Sequence, residues 1–210
     1  MARISSIPQK QRFSVAVVGD GQTERIYFSD LIDTDRPSNL TIFPDYPRKI
    51  GNYKGVLERA KILSSDYDQV YALIDMDKVI KENQKKEYEN DKKISQKLKV
   101  IVLENNPCFE IWFLLHFLQT SKLFKNCNEV VSELMKPKGI INYRKNEKFL
   151  LRAHLYKNLK ERIGNHAIPN AKLLEQNRSD HDQLFPRSET FRFFEWYFKM
   201  HPAVKAPDNF

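Results

Sequence analysis

The stretch Val15–Leu31, VAVVGDGQTERIYFSDL, reads as a buried strand, a tight glycine turn and an amphipathic helix, with two carboxylates at the joint. FSVAVV (13–18) is β-branched and apolar, as a buried strand requires. From about Gln22 to Asp33, Tyr27, Phe28, Leu31 and Ile32 line one side of a helix. Glu24 shares the face of Tyr27, Phe28 and Leu31, so its carboxylate heads the apolar stripe and points toward the sheet. The helix N-terminus favours an anion there, but burying one without a partner is costly. Asp20 sits in the turn itself.

Working outward, LTIF (40–43), QVYALID (69–75) and KVIVLE (99–104) read as further strands. NYKGVLERAKILSS is a helix that turns Val56, Leu57, Ala60 and Leu63 inward. Lys78 to Lys99 is a solvated, mostly helical segment without assigned chemistry. In NNPCFEIWFLLHFLQ, Asn106 suits an N-cap and Pro107 the first helical position, and the body is apolar all round, as in a buried helix. Strands and helices therefore alternate, which predicts an α/β fold with a mostly parallel four-stranded sheet flanked by helices. Beyond Gln119 the pattern is helical, around 129–135, 147–163 and 188–200, after a loop marked by RSDHDQ and Pro186. The last of these helices carries enough aromatic surface to dock back. The expected organisation is an α/β core over 13–118 and a basic, mainly helical C-terminal lobe over 119–210 packed on it.

A hydrophobic fraction of 41% marks a globular chain. No apolar run approaches the roughly 20 residues of a membrane span. MARISSIPQKQR has no apolar leader segment. Cys108 and Cys127 lie in different contexts, outside any CxxC pair, which suits a reduced, cytoplasmic setting and argues against zinc. Charge is uneven. From Gln119 on there are 17 Lys and Arg against 10 Asp and Glu, whereas the first 118 residues hold 18 against 17. Such a basic lobe suggests an acidic partner, nucleic acid foremost; the alternative is a merely solubilising surface.

In parallel α/β folds the functional crevice lies at the carboxyl ends of the strands, and three ends here carry acids. Asp20 and Glu24 follow the first strand, Asp75 and Asp77 the third, Glu104 and then Glu110 the fourth. Asp75 and Asp77 are two apart, so in extended backbone they lean to one side, where a hard divalent cation would relieve their repulsion. Glu110 shares a helix face with Phe113, Leu114 and Phe117, as Glu24 does with its own apolar stripe. Each buried acid could instead be met by an Arg or Lys. His116 lies about 240° round the helix from Glu110 and reads as a core histidine. GDGQTE is not a phosphate loop: Glu24 stands where a dinucleotide fingerprint needs its third glycine, and no G-K-[ST] follows.

Together VVGDGQTERIYF, LIDMD and NNPCFEIWFLLHF resemble the RloB-like family over about 13–118, with FPRSET a weaker match beyond. The resemblance implies a Toprim-like core, the catalytic module shared by topoisomerases, bacterial primases and OLD-type nucleases. It also implies a setting in bacterial phage-defence and restriction loci, often beside an AAA/ABC-type ATPase. On this resemblance Asp20, Glu24 and Glu110 are the catalytic candidates. Asp75 and Asp77 carry the DxD, with Glu24 and Glu110 completing a shell for Mg²⁺ or Mn²⁺. Asp20 replaces the family's usual glutamate, so its carboxylate reaches about one C–C bond less far. The implied function is a Mg²⁺-dependent nuclease acting on DNA or RNA, with Asp20 as general acid/base and a partner ATPase. The alternative is a catalytically silent nucleic-acid-binding or regulatory subunit of an ATPase complex, and self-association is left open. Topoisomerase or primase activity would need accessory domains for which 210 residues leave no room.

Overall fold

Alternation along the strands decides which side chains reach each face of the sheet. The computed structural model describes residues 12–47, 52–178 and 182–202. The first residues, read above for a leader, and Ser179–His181 of the RSDHDQ loop lie outside them. Among the described residues, β1 (Phe13–Val18), β2 (Leu40–Asp45), β3 (Gln69–Asp75), β4 (Val100–Asn106) and β5 (Arg187–Ser188) form one sheet in the order β2-β1-β3-β4-β5. The first four are parallel, and β5 runs antiparallel to β4. Val15 and Val17, Tyr71 and Leu73, and Leu103 point to one face; Ala16 and Val18, Val70, Ala72 and Ile74, and Val100 and Val102 point to the other. Burial on both faces is why these strands read as nearly continuous apolar runs.

The second face is covered by α2 (Tyr53–Leu63), α3 (Met76–Lys81) and α4 (Lys85–Lys97). Asn52 caps α2, accepting the Lys54 and Gly55 N–H groups. The first face carries α1 (Gln22–Asp35) and α5 (Glu110–Leu115), joined from the C-terminal half by α6 (Cys127–Leu134), α7 (Glu147–Ala153), α8 (Leu155–Arg162), α9 (Ile168–Gln176) and α10 (Thr190–Met200). As the aromatic pattern implies, α10 docks on the sheet, with the Phe193 ring 4.9 Å from Phe28 and 5.2 Å from Tyr71. Phe194 stacks on Trp112 at 5.2 Å. The buried Asp35 carboxylate of α1 accepts hydroxyls from Tyr156 and Tyr197 and the Lys160 ammonium at 2.6 Å, which ties α8 and α10 to the core. His116 is a buried core histidine, its Nδ1 2.8 Å from the Trp112 carbonyl, and burial pushes its pKa down to about 4.

Four differences from the sequence reading have identifiable causes. The sheet has five strands; Arg187–Ser188 is too short to show alternation. The segment after β3 is two helices, parted near Asn83 with φ 55°. The helix expected over 147–163 breaks at His154, φ 41°, and a π-helical turn (Ile163–Ala167) leads into α9, which the sequence reading lacked. Finally, β4 runs to Asn106, the Asn106–Pro107 bond is cis, and α5 begins only at Glu110. Asn106 is therefore no N-cap. Its Nδ2 donates to the Gln183 and Phe185 carbonyls, both at 2.8 Å, and holds the chain entering β5.

Candidate functional site

Continuing the alternation past the strands places the acids. Asp75 falls on the face of Tyr71 and Leu73, beneath α1 and α5, whereas Glu104 falls on the opposite face. There Glu104 is buried among partners: it accepts the Tyr88 hydroxyl at 2.7 Å and pairs with Lys92 and Arg187. Although burial raises its pKa, those two cations hold it below the usual range. Glu104, grouped by sequence with the acids at the strand ends, is thus a structural ion-pair residue on the other face.

Gly19 continues β1, its N–H donating to the Asp45 carbonyl at 3.0 Å. A Cβ on Gly19 would lie 2.4 Å from the Glu24 Cβ and 2.7 Å from its Cγ, so glycine is what lets the first turn of α1 sit against the strand end. Around Gly21 a Cβ would meet nothing within 4 Å. Glu24 is only 4% exposed. Burial first, and then the Glu110 charge, raise its carboxyl from an ordinary 4.5 to about 7, against the pull of its own backbone N–H and of Lys145. Asp75 is raised well above an ordinary aspartate by burial, followed by the charges of Glu24 and Glu110; its Oδ1 accepts the Phe109 N–H at 2.8 Å. The charge of Asp20 acts on both. Its Oδ1 is buried without a hydrogen-bond partner, while Oδ2 lies 3.6 Å from the Lys78 Nζ.

Glu110, wholly buried in the first turn of α5, is the best-supported member. It accepts the Tyr143 hydroxyl at 2.9 Å and the Lys145 ammonium at 3.0 Å, with Cys127 Sγ 3.1 Å away. Lys145 reaches in from an exposed stem. Desolvation lowers its pKa, but Glu110 and Asp75 outweigh that and leave it above the ordinary value. Asp77 departs from the expected geometry. Because α3 begins at Met76, Asp75 and Asp77 do not alternate as strand neighbours; Asp77 stands in the first turn of α3 and accepts its neighbour's Lys78 N–H at 2.7 Å.

The cysteines are also not as expected. Cys108 and Cys127 are bonded to each other, with Cα atoms 5.5 Å apart, instead of lying in unrelated contexts. Tyr143, Lys145 and this pair were invisible to sequence reasoning, because 33 and 35 residues separate Tyr143 and Lys145 from Glu110 and no local spacing links them.

A family model described as RloB-like protein matches residues 15–196. The chain belongs to the RloB-like family. That match runs through the sheet, the acidic cluster and the segment between α6 and α7 that supplies Tyr143 and Lys145. No curated protein and no solved structure matches this RloB-like chain.

Proposed function

We propose that this RloB-like protein is a Mg²⁺- or Mn²⁺-dependent nuclease of the Toprim type, acting on DNA or RNA in bacterial defence with a partner ATPase. The observation that carries the reading is the acid cluster itself. Glu24 and Asp75 are both pushed toward the protonated state by enclosure and mutual repulsion, and Asp20 Oδ1 is buried beside them without a donor. An all-oxygen, electron-rich donor set of this kind suits a hard divalent cation. Asp75 and Glu24 would hold the ion, with Asp77 as the second carboxylate of the DxD. Among the described residues these oxygens and those of Asp20 are not gathered into one coordination shell, so the ligand set would close up on binding. The ion would supply Lewis-acid polarisation of a phosphoryl oxygen.

The chain's own residues have separable roles. Glu24, with a carboxyl near 7, would give up its proton as the ion binds, and the general acid/base role stays with Asp20. With the Cys108–Cys127 bond closed, Glu110 is held by Tyr143 and Lys145 and is not offered to the ion. The excess Lys and Arg of the C-terminal half would hold the flanking phosphates, a contribution that weakens with salt.

A second reading, a silent binding or regulatory subunit, draws on the Lys145 ammonium already neutralising Glu110 and on the shorter side chain of Asp20. Incubating labelled DNA and RNA oligonucleotides with the protein and Mg²⁺ or Mn²⁺ separates the two. The nuclease reading expects cleavage that chelator, Asp75→Ala and Asp77→Ala each abolish; cleavage unchanged in both variants refutes it. Binding without cleavage, also after Asp20→Glu, supports the subunit.

A further inference from the structure

We propose that Cys108 and Cys127 form a reversible thiol–disulfide site that decides whether Glu110 joins the divalent-cation ligands Asp75 and Glu24; the gating half rests on the metal reading above. The argument begins with where the bridge sits. Cys108 lies two residues before Glu110, in the turn between β4 and α5, and Cys127 is the first residue of α6. The bond therefore fastens α6 to the turn that delivers Glu110, closing a loop of sequence separation 19. The Cα spacing of 5.5 Å is one at which disulfides form without backbone movement.

What α6 carries is the second step. After Leu134 the chain doubles back: the Ile140 N–H donates to the Leu134 carbonyl at 2.7 Å, and the Tyr143 N–H to Ile140 at 3.2 Å. A Cβ on Gly139 would lie 2.0 Å from the Leu134 oxygen, so the turn is tight. Residues 127–143 thus form one short hairpin-like unit, bridged at its start and presenting Tyr143, then Lys145, at its end. Those two side chains occupy the Glu110 carboxylate, which is fully enclosed. With the bridge closed, Tyr143 and Lys145 stay seated and a cation is held off Glu110. With two free thiols the covalent tie to the α5 turn is gone; Val130 and Leu134 keep α6 on the core, while the end that carries Tyr143 and Lys145 is free to leave the carboxylate open to the ion.

The chemistry balances with a low-molecular-weight disulfide such as oxidised glutathione as oxidant. Cys127 is the partly exposed member and Cys108 the buried one. The Cys127 thiolate attacks one glutathione sulfur, its S–S bond breaks, and one glutathione thiolate leaves. The Cys108 thiolate then attacks Cys127 Sγ of the mixed disulfide, forming the protein bond and expelling the second glutathione. Two protein thiols are oxidised and two glutathione thiols are produced; excess reduced glutathione reverses both exchanges.

The test uses the full chain in three forms: oxidised with glutathione disulfide, reduced with a phosphine that is then removed, and Cys127→Ser. Iodoacetamide labelling with intact mass reports the thiols, and calorimetry reports Mg²⁺ and Mn²⁺ affinity. The expected result is two labelled thiols only after reduction, with the reduced and Cys127→Ser forms binding metal at least about fivefold more tightly than the oxidised one, within the range usual for coupled sites. Persistent free thiols under glutathione disulfide, or equal affinity in all three forms, overturns the gate. Absence of metal binding in every form overturns the metal reading instead. Amide exchange over 127–145 then decides the gate alone: faster exchange on reduction upholds it, and unchanged exchange refutes it.

Discussion

Replacing Glu24 by Gln should make the metal-free protein more stable at pH 8 and leave it nearly unchanged in acid. Glu24 is 4% exposed and its carboxyl is raised from 4.5 to about 7 by burial and by Glu110. An acid with a folded pKa above its unfolded one keeps more protons when folded, so its contribution is fully present below about pH 4.5 and is lost as pH rises through about 7. A shift of this size corresponds to about 3 kcal/mol at 1.36 kcal/mol per unit. Glu24→Gln keeps the shape and removes the charge. In chelator at pH 8 the variant should gain about 2–3 kcal/mol over the parent, falling to less than about half a kcal/mol at pH 4.5. Urea unfolding of both proteins at the two pH values, with m-values compared, measures this directly. A variant that is less stable than the parent at pH 8, or a gain that does not depend on pH, would refute the picture of a crowded, charge-frustrated site. The metal reading proposed above agrees with this: a cluster that destabilises the apo fold would be relieved by a bound divalent cation.

Three further outcomes follow from single residues. Gly19→Ala places a Cβ 2.4 Å from Glu24, so it should cost about 1–3 kcal/mol in chemical denaturation and weaken metal binding, while Gly21→Ala, with nothing within 4 Å, should leave metal binding intact. Lys145→Met removes the ammonium facing Glu110; at pH 8 in chelator it should lower stability in urea unfolding by roughly 1–2 kcal/mol, a figure reduced for the exposed lysine stem, and it should tighten Mg²⁺ binding in calorimetry. Asp35→Asn leaves Lys160 and the Tyr156 and Tyr197 hydroxyls with a weaker acceptor, so thermal unfolding should show a loss of about 2–4 kcal/mol without any change in metal affinity.

What the sequence disclosed and what it hid divide along the range of the interactions. The strands β1, β3 and β4 were legible because strands buried on both faces are nearly continuous apolar runs, and α1 because Tyr27, Phe28 and Leu31 recur at helical spacing. Glu24 and Glu110 were legible as acids heading such stripes, and His116 as core from its angle on α5. The DxD reading placed Asp75 and Asp77 on one side of an extended strand but missed that α3 starts between them, since nothing in LIDMDK marks that boundary. The start of α5 was misplaced by local logic: Asn-Pro is a good helix opening by itself, yet here Asn106 is used up by the Gln183 and Phe185 carbonyls. Glu104 seemed equivalent to Glu110 until strand alternation sent it to the opposite face, toward Lys92 and Arg187. Tyr143, Lys145 and the Cys108–Cys127 bond depend on the chain returning from a distant segment, and no periodicity carries that information.

The central claim is that Glu24 and Asp75 surrender their protons to a divalent cation. Mg²⁺ calorimetry at pH 6.5, in two buffers of different ionisation enthalpy, measures both the binding and the protons released. A Glu24 carboxyl near 7 should contribute about three quarters of a proton per ion at that pH, a release diminished in Glu24→Gln and accompanied by loss of binding in Asp75→Ala. Binding that releases no proton, or no binding at all, would contradict the account.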